Sequence, residues 1–182
     1  MLERRIRGMS GAVLLVLFIS ALPVLVQAGS LYFVPATGSF DCGETYTLDL
    51  MIDDTITDLR GASLVLEFDE AILAPLTVSA GSLVAGAGCP HFFTWLNVSA
   101  VGDSIAVDIS TLGCSVDGPG SILHMTFEGF QQGVSFVRCR SGVLRDSNNQ
   151  DIPYVCDEAA VDYRCPVEDQ IRTWGAAKAI YR

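Results

Sequence analysis

The sequence predicts an all-β fold of about nine short strands, packed as a two-sheet sandwich, in a chain that is exported. Three observations predict it. From Leu31 to about Asp162, short apolar or β-branched runs alternate with Gly, Asp, Asn and Pro punctuation. No stretch between those runs carries a helical period of useful length. All six cysteines, at 42, 89, 114, 139, 156 and 165, lie downstream of an N-terminal segment with the form of an export signal.

Arg4, Arg5 and Arg7 precede an apolar run from Ala12 to Val26, which Gln27, Ala28 and Gly29 follow. Small residues at Val26 and Ala28 flank a polar one, the pattern for cleavage after Ala28. The rival reading is a retained membrane anchor, but the uncharged stretch from Gly11 to Gly29 is short for a span and contains Pro23. Residues 1–28 are therefore read as a signal peptide, 29–164 as the sandwich and 165–182 as a C-terminal tail. The expected location is extracytoplasmic, secreted or at the cell surface.

The strands follow in order. Residues 31–35, LYFVP, open the first. Residues 45–52 form the second, with Tyr46, Leu48 and Leu50 on one face. In the third, 63–68, Leu64, Leu66 and Phe68 point one way and Ser63, Val65 and Glu67 the other. Residues 72–78 return as a fourth strand, which Pro75 confines to an edge or makes irregular, before a loop marked by Gly81, Gly86 and Gly88. HFFTWLN at 91–97 has the aromatic density of a strand, and in 104–110 Ile105, Val107 and Ile109 alternate with Ala106 and Asp108. Leu123, Met125 and Phe127 share a face in 121–127, with Ile122, His124 and Thr126 opposite. Residues 133–140, with Val134, Phe136 and Arg138 on one side, and 159–163 complete the set. In the tail, Thr173 can cap a short helix in which Trp174, Ala177, Lys178 and Tyr181 share a face.

The net charge of the whole chain is −10. Export leaves 8 basic residues (11 less Arg4, Arg5 and Arg7) against 20 acidic ones (21 less Glu3), a net charge of −12. Nucleic acid and anionic membranes are repelled by such a field, so neither is an expected partner.

The stretches GETYTLDLMIDD (43–54), GASLVLEFDEAILAPLTVSAGSLVAGAG (61–88), GPGSILHMTFEG (118–129) and LRDSNNQDIP (144–153), in that order, resemble a cohesin domain. Cohesins are nine-stranded jelly-roll sandwiches, related in fold to cellulose-binding modules, that hold dockerin-bearing enzymes on bacterial scaffolds. The resemblance spans about residues 31–163. Two features depart from the family pattern: six cysteines in place of few, and one such domain where scaffold proteins string several. The resemblance implies a non-catalytic module with a protein partner, dockerin-like, in a bacterial extracytoplasmic setting. It further implies a docking face on the open side of the eighth, third, sixth and fifth strands. Carried onto this chain, that face comprises Ser63, Val65 and Glu67 on the third strand, Ser104, Ala106 and Asp108 on the sixth, and His91, Phe93 and Trp95 on the fifth, with Phe92, Thr94 and Leu96 as the alternate face of the fifth. Trp95 is either a packed residue or a partner contact.

Other chemistry is weighed against this reading. A hydrolase needs a nucleophile, base and orienter, or two carboxylates across a cleft, and neither His91 nor His124 stands in such a pattern. No CxxC occurs, and neither histidine is spaced for zinc, so the cysteines are read as disulfides and no cofactor is expected. Asp146, Asn148 and Asp151 in DSNNQD are oxygen donors suited to calcium, but the segment lacks the loop length and final Glu of an EF-hand, and a plain Asx-rich turn accounts for it. Asn97 and Ser99 complete a glycosylation sequon of little weight in a bacterial setting. A carbohydrate-binding module is the second functional class, with Tyr32, Phe93, Trp95 and Tyr154 as its aromatic candidates, and a structural surface protein the third.

Six cysteines allow fifteen pairings. If the fifth and sixth strands pair antiparallel, Cys89 before one meets Cys114 after the other. An antiparallel return past DSNNQD brings Cys139 beside Cys156. Cys42 with Cys165 is the remaining pair, and it rests on the resemblance, in which the first and last strands are neighbours.

Overall fold

The computed structural model describes residues 28–98 and 103–165. The expected signal peptide up to residue 27, Ser99 of the sequon and the tail beyond Cys165 lie outside the described residues. In chain order the elements are β1 (Gly29–Val34), β2 (Thr37–Asp41), β3 (Thr45–Ile52), β4 (Leu59–Glu67), β5 (Leu73–Ala80), α1 (Ser82–Ala85), β6 (His91–Asn97), β7 (Ser104–Thr111), β8 (Gly120–Gly129), β9 (Gly133–Asp146), β10 (Asp151–Ile152), β11 (Tyr154–Cys156) and β12 (Ala159–Arg164). Among the described residues no helix is long and apolar enough to cross a membrane.

The strands form two sheets. The smaller has the order β11-β1-β3-β8-β5, and the larger β2-β12-β9-β4-β7-β6 with β10 beside β9. Alternation decides which side chains meet between them. Leu48, Leu50 and Ile52 of β3 and Leu123, Met125 and Phe127 of β8 face Leu64 and Leu66 of β4, Ile105 and Val107 of β7 and Val161 of β12, all essentially without solvent contact. Phe68 meets Phe127 edge-on, ring centroids 5.6 Å apart. Burying each of these side chains stabilises the fold by about 1.5–3 kcal/mol, so the core is where folding free energy concentrates.

The expected two-sheet sandwich is present, but its strands are divided more finely than nine. Twelve strand segments occur among the described residues, the additions being β2, β10 and β11. Two prolines mark the divisions. Lacking an N–H, Pro35 cannot continue a ladder; before it β1 pairs with β3, and after it β2 crosses to the other sheet and pairs with β12. Pro153 likewise separates β10, paired with β9, from β11, paired with β1.

Two local readings change as well. The glycine-marked loop after β5 contains the one-turn helix α1, whose Val84 is buried in the core, and Gly81 before it lies so close to the Ser121 backbone that a side chain has no room. Ile122, expected opposite Leu123, is buried like it, because the β3–β8 register shifts at Leu50/Met51 and skips Ile122.

The structure pairs Cys89 with Cys114, Cys139 with Cys156 and Cys42 with Cys165, with Cα separations of 6.3, 6.1 and 4.9 Å. Pairing of His91 with Thr111 brings the first pair to one end of the β6–β7 ladder. The parallel β2–β12 ladder ends at Asp41 and Arg164, one residue before Cys42 and Cys165. The second pair has a different basis from the one expected. Cys139 and Cys156 are not side by side in one sheet: Cys139 belongs to β9 of the larger sheet and Cys156 to β11 of the smaller, so this bond ties the two sheets together.

Candidate functional site

The path β9-β4-β7-β6 runs through the larger sheet in the order eighth, third, sixth, fifth that the resemblance implies for a docking face. On β4 the inward Ala62, Leu64 and Leu66 are buried, leaving Ser63, Val65 and Glu67 outward. Across the antiparallel ladder they oppose Asp108, Ala106 and Ser104 of β7. Asp108 is exposed and Ala106 half-buried, whereas Ser104 is fully buried and cannot itself meet a partner.

The fifth strand corrects the expected residues. Directly opposed residues in an antiparallel pair share a face. Phe92, Thr94 and Leu96 oppose Ser110, Asp108 and Ala106, so these three join the open face. Phe93 and Trp95 oppose the buried Ile109 and Val107 and pack, half-buried, against the core; His91 opposes buried Thr111 and is exposed at the strand's start. The expected set His91, Phe93 and Trp95 is thus on the inward register.

The eighth strand supplies residues that sequence reasoning did not assign. Val134, Phe136 and Arg138 alternate with the buried Ser135 and Val137, and Val143 lies opposite Ser63. Their alternation was visible, but on β9 the bulkier apolar residues point outward, so hydrophobicity alone misleads about the inner side. The resulting open face carries Leu96 (68 % exposed), Phe92 (52 %), Phe136 (49 %), Val134 (48 %) and Val143 (38 %). A hollow of about 260 Å³ at one end is lined by Glu67, Phe68, Asp69, Asp103, Val134, Phe136 and Arg138.

Charge is placed locally on this face. The Nε of Arg138 donates to Glu67, and Arg140 Nε lies 4.0 Å from the other Glu67 oxygen. At the far end the turn after β9 holds two more arginines: Arg145 Nη1 is 2.5 Å from Asp151 Oδ1 and donates to Asn149 O, and Arg60 donates to Ser147 O. Asp58 accepts from the Ser147 hydroxyl at 2.5 Å. Hydrogen bonds from Ser115 and Ser147, then the charge of Arg60, hold its carboxyl below the usual range.

Two of the three calcium candidates, Asp146 and Asp151, already have partners. Asp146 Oδ1 accepts the backbone N–H groups of Asn148 (2.8 Å) and Gln150 (2.7 Å), Asn149 takes a left-handed φ of 62°, and Asp151 faces Arg145. That is a self-satisfied Asx turn. Nor do the polar residues of the smaller sheet form a hydrolytic set. His124 Nδ1 lies 2.8 Å from Asp49 Oδ1, but the one hydroxyl proton of Ser121, itself buried, has the same Asp49 oxygen at 3.2 Å and Leu123 O at 2.9 Å as its acceptors. Serine and histidine thus compete for one carboxylate, whereas nucleophilic catalysis needs the serine on the histidine. The aromatic candidates for carbohydrate are divided: Tyr32 is on the outer side of β1, Tyr154 on β11 and Phe93 and Trp95 on the inner side of β6.

No protein-family signature and no curated protein matches the chain. Solved structures do. A non-cellulosomal cohesin from the hyperthermophilic archaeon Archaeoglobus fulgidus superposes with a TM-score of 0.64 at 14% identity, over 81% of this chain and 99% of the archaeal one. The type II cohesin domain from the cellulosome of Acetivibrio cellulolyticus gives 0.64 at 16% identity, over 74% and 95%. A chain of a type I cohesin–dockerin complex from Clostridium thermocellum gives 0.62 at 13% identity, over 76% and 100%. The chain therefore has a cohesin-like fold.

Proposed function

We propose that this protein is a non-catalytic, exported protein-binding module that docks a dockerin-like partner on the open face of β9, β4, β7 and β6. One observation carries the reading: five large apolar side chains stand exposed on one face that the sandwich does not need for its own core. A soluble domain rarely leaves such a set together without a partner to cover it. The likeness to cohesins, one of them in a dockerin complex, supports a protein as that partner. Three disulfides support export to an oxidising compartment. A carbohydrate platform is less well supported, since its aromatic candidates are divided between sheets and faces. The test retains proteins from the secreted fraction of the source on the exported chain and on its Leu96→Asp variant. The reading expects a consistent protein held by the first and lost by the second; equal retention by both contradicts it.

A further inference from the structure

Resting on that docking reading, we propose that the open face takes a partner protein surface whose apolar contacts are bordered by carboxylates, with Arg138 and Arg140 as their readers. The domain as a whole points the other way. Among the described residues there are five cationic side chains, Arg60, Arg138, Arg140, Arg145 and Arg164, against 18 acidic ones (21 less Glu3, Glu168 and Asp169). Long-range attraction alone therefore selects basic partners. Yet all five arginines belong to the larger sheet, and four lie on β4 and β9, the two strands at the middle of that sheet.

A bulge sets the central pair. Cys139 pairs with Leu66 and Ser141 with Val65, leaving Arg140 as the extra residue. It therefore projects on the same side as Arg138, where both approach Glu67. One carboxylate is shared by two guanidiniums, an excess of one positive charge. Each arginine turns its Nε edge to Glu67, leaves its Nη groups for a further acceptor, and stays more than half exposed. Holding the forks in place beforehand lowers the ordering cost when a carboxylate arrives. Val65 and Val143 lie alongside, so an acid and an apolar contact fit together.

The neighbouring acids locate the contact further. Asp69 and Asp103 share the 260 Å³ hollow with Arg138, and they disfavour an anion there. Arg140 instead lines the opposite flank of β9, where Asp151 is already paired with Arg145. At the far end, Asp58, Asp146 and Asp151 offset Arg60 and Arg145. Asp108 is the remaining acid outward on β7. Arg140 is thus the reader less opposed by neighbouring acids, although Arg138 is slightly the more exposed of the two (58 % against 51 %).

The test selects a library of variable surface residues, displayed on a helical-bundle scaffold, against the intact exported chain. Affinity of the selected pool is then measured for the wild type, the Arg138→Gln/Arg140→Gln variant and Leu96→Asp, with melting temperatures confirming that each is folded. The expected pool is enriched in Asp and Glu. It loses at least about tenfold in affinity with either variant, and it weakens as salt rises from about 0.05 M to about 0.5 M. A pool enriched in Lys and Arg, or one that Leu96→Asp weakens and the arginine variant does not, overturns the acidic-partner inference and leaves the docking face standing. A pool indifferent to Leu96→Asp overturns the docking reading, and this inference with it.

Discussion

The two sheets turn different outer faces to solvent on the same alternating pattern. On the smaller sheet, the central strands β3 and β8 present Thr45, Thr47 and Asp49 beside His124, Thr126 and Glu128, with Asp49 paired to His124, and the exposed Val34, Leu76 and Val155 stand one to a strand on β1, β5 and β11. On the larger one, β6 and β9 present Phe92, Leu96, Val134, Phe136 and Val143. The first is what an antiparallel sheet with one solvated face requires. The second adds nothing to the shared core, so its apolar side chains need another reason to be there. Inward residues thus specify the sandwich, while the outward residues of one sheet carry what is particular to this protein.

That contrast can be broken most directly within one residue type. Phe127 is fully buried between the sheets and Phe136 half exposed on the open face. Phe127→Ala is expected to lose about 3–5 kcal/mol of unfolding free energy, and Phe136→Ala no more than about 0.5 kcal/mol. Urea unfolding of both variants checks this, and similar losses would mean that the open face is part of the core after all. The next effect concerns the join between the two sheets. Replacing Cys139 and Cys156 together by serine removes a cross-link with a sequence separation of 17, which the chain-entropy relation values at about 3 kcal/mol. The same unfolding measurement checks it, and a loss below about 1 kcal/mol contradicts a stabilising role of that size for this cross-link.

A smaller effect is sensitive to pH and belongs to the end of the open face. The folded Asp58 carboxyl lies below its ordinary value, with the Ser115 and Ser147 hydrogen bonds as the leading causes. A depressed folded pKa contributes stability above the unfolded value of about 3.9, and that contribution is lost as pH falls through the lower, folded value. Asp58→Asn should therefore be less stable than the wild type at neutral pH, and the gap should close on acidification below about pH 4. Urea unfolding at a series of pH values checks it; a gap that stays constant to pH 2.5 contradicts it.

The legible and the illegible parts of this chain divide along physical lines. β3, β7 and β8 were readable because each carries one apolar face and one polar face, which fixes both the strand and its phase. HFFTWLN lacks that contrast: Phe92, Phe93, Trp95 and Leu96 are apolar on both sides, so the strand is evident and its facing is not. Only the pairing of Leu96 with Ala106 and Trp95 with Val107 decides it. On β9 the phase was visible but its sign was not, since Val134 and Phe136 exceed the inward Ser135 and Val137 in bulk. The crossings at Pro35 and Pro153 also escaped, because a proline announces a break and not the sheet to which the chain goes next. For the disulfides, local strand order was enough to bring Cys89 to Cys114, whereas the Cys139–Cys156 pair joins sheets that local order cannot distinguish.

Moving one new charge between the two outer faces tests whether the open face of β9, β4, β7 and β6 is the docking surface. With a partner retained from the secreted fraction, its affinity is measured for Phe92→Asp and Leu96→Asp on the larger sheet and for Thr47→Asp and Ser79→Asp on the smaller. All four positions are exposed strand residues, so all four variants should keep the wild-type melting temperature to within a few degrees, about the shift expected for a ΔΔG under 0.5 kcal/mol. At least about a tenfold loss of affinity is expected for the first two, where a charge replaces an apolar contact to the partner, and no change for the others. Loss with Thr47→Asp or Ser79→Asp, and none with Phe92→Asp or Leu96→Asp, would contradict it.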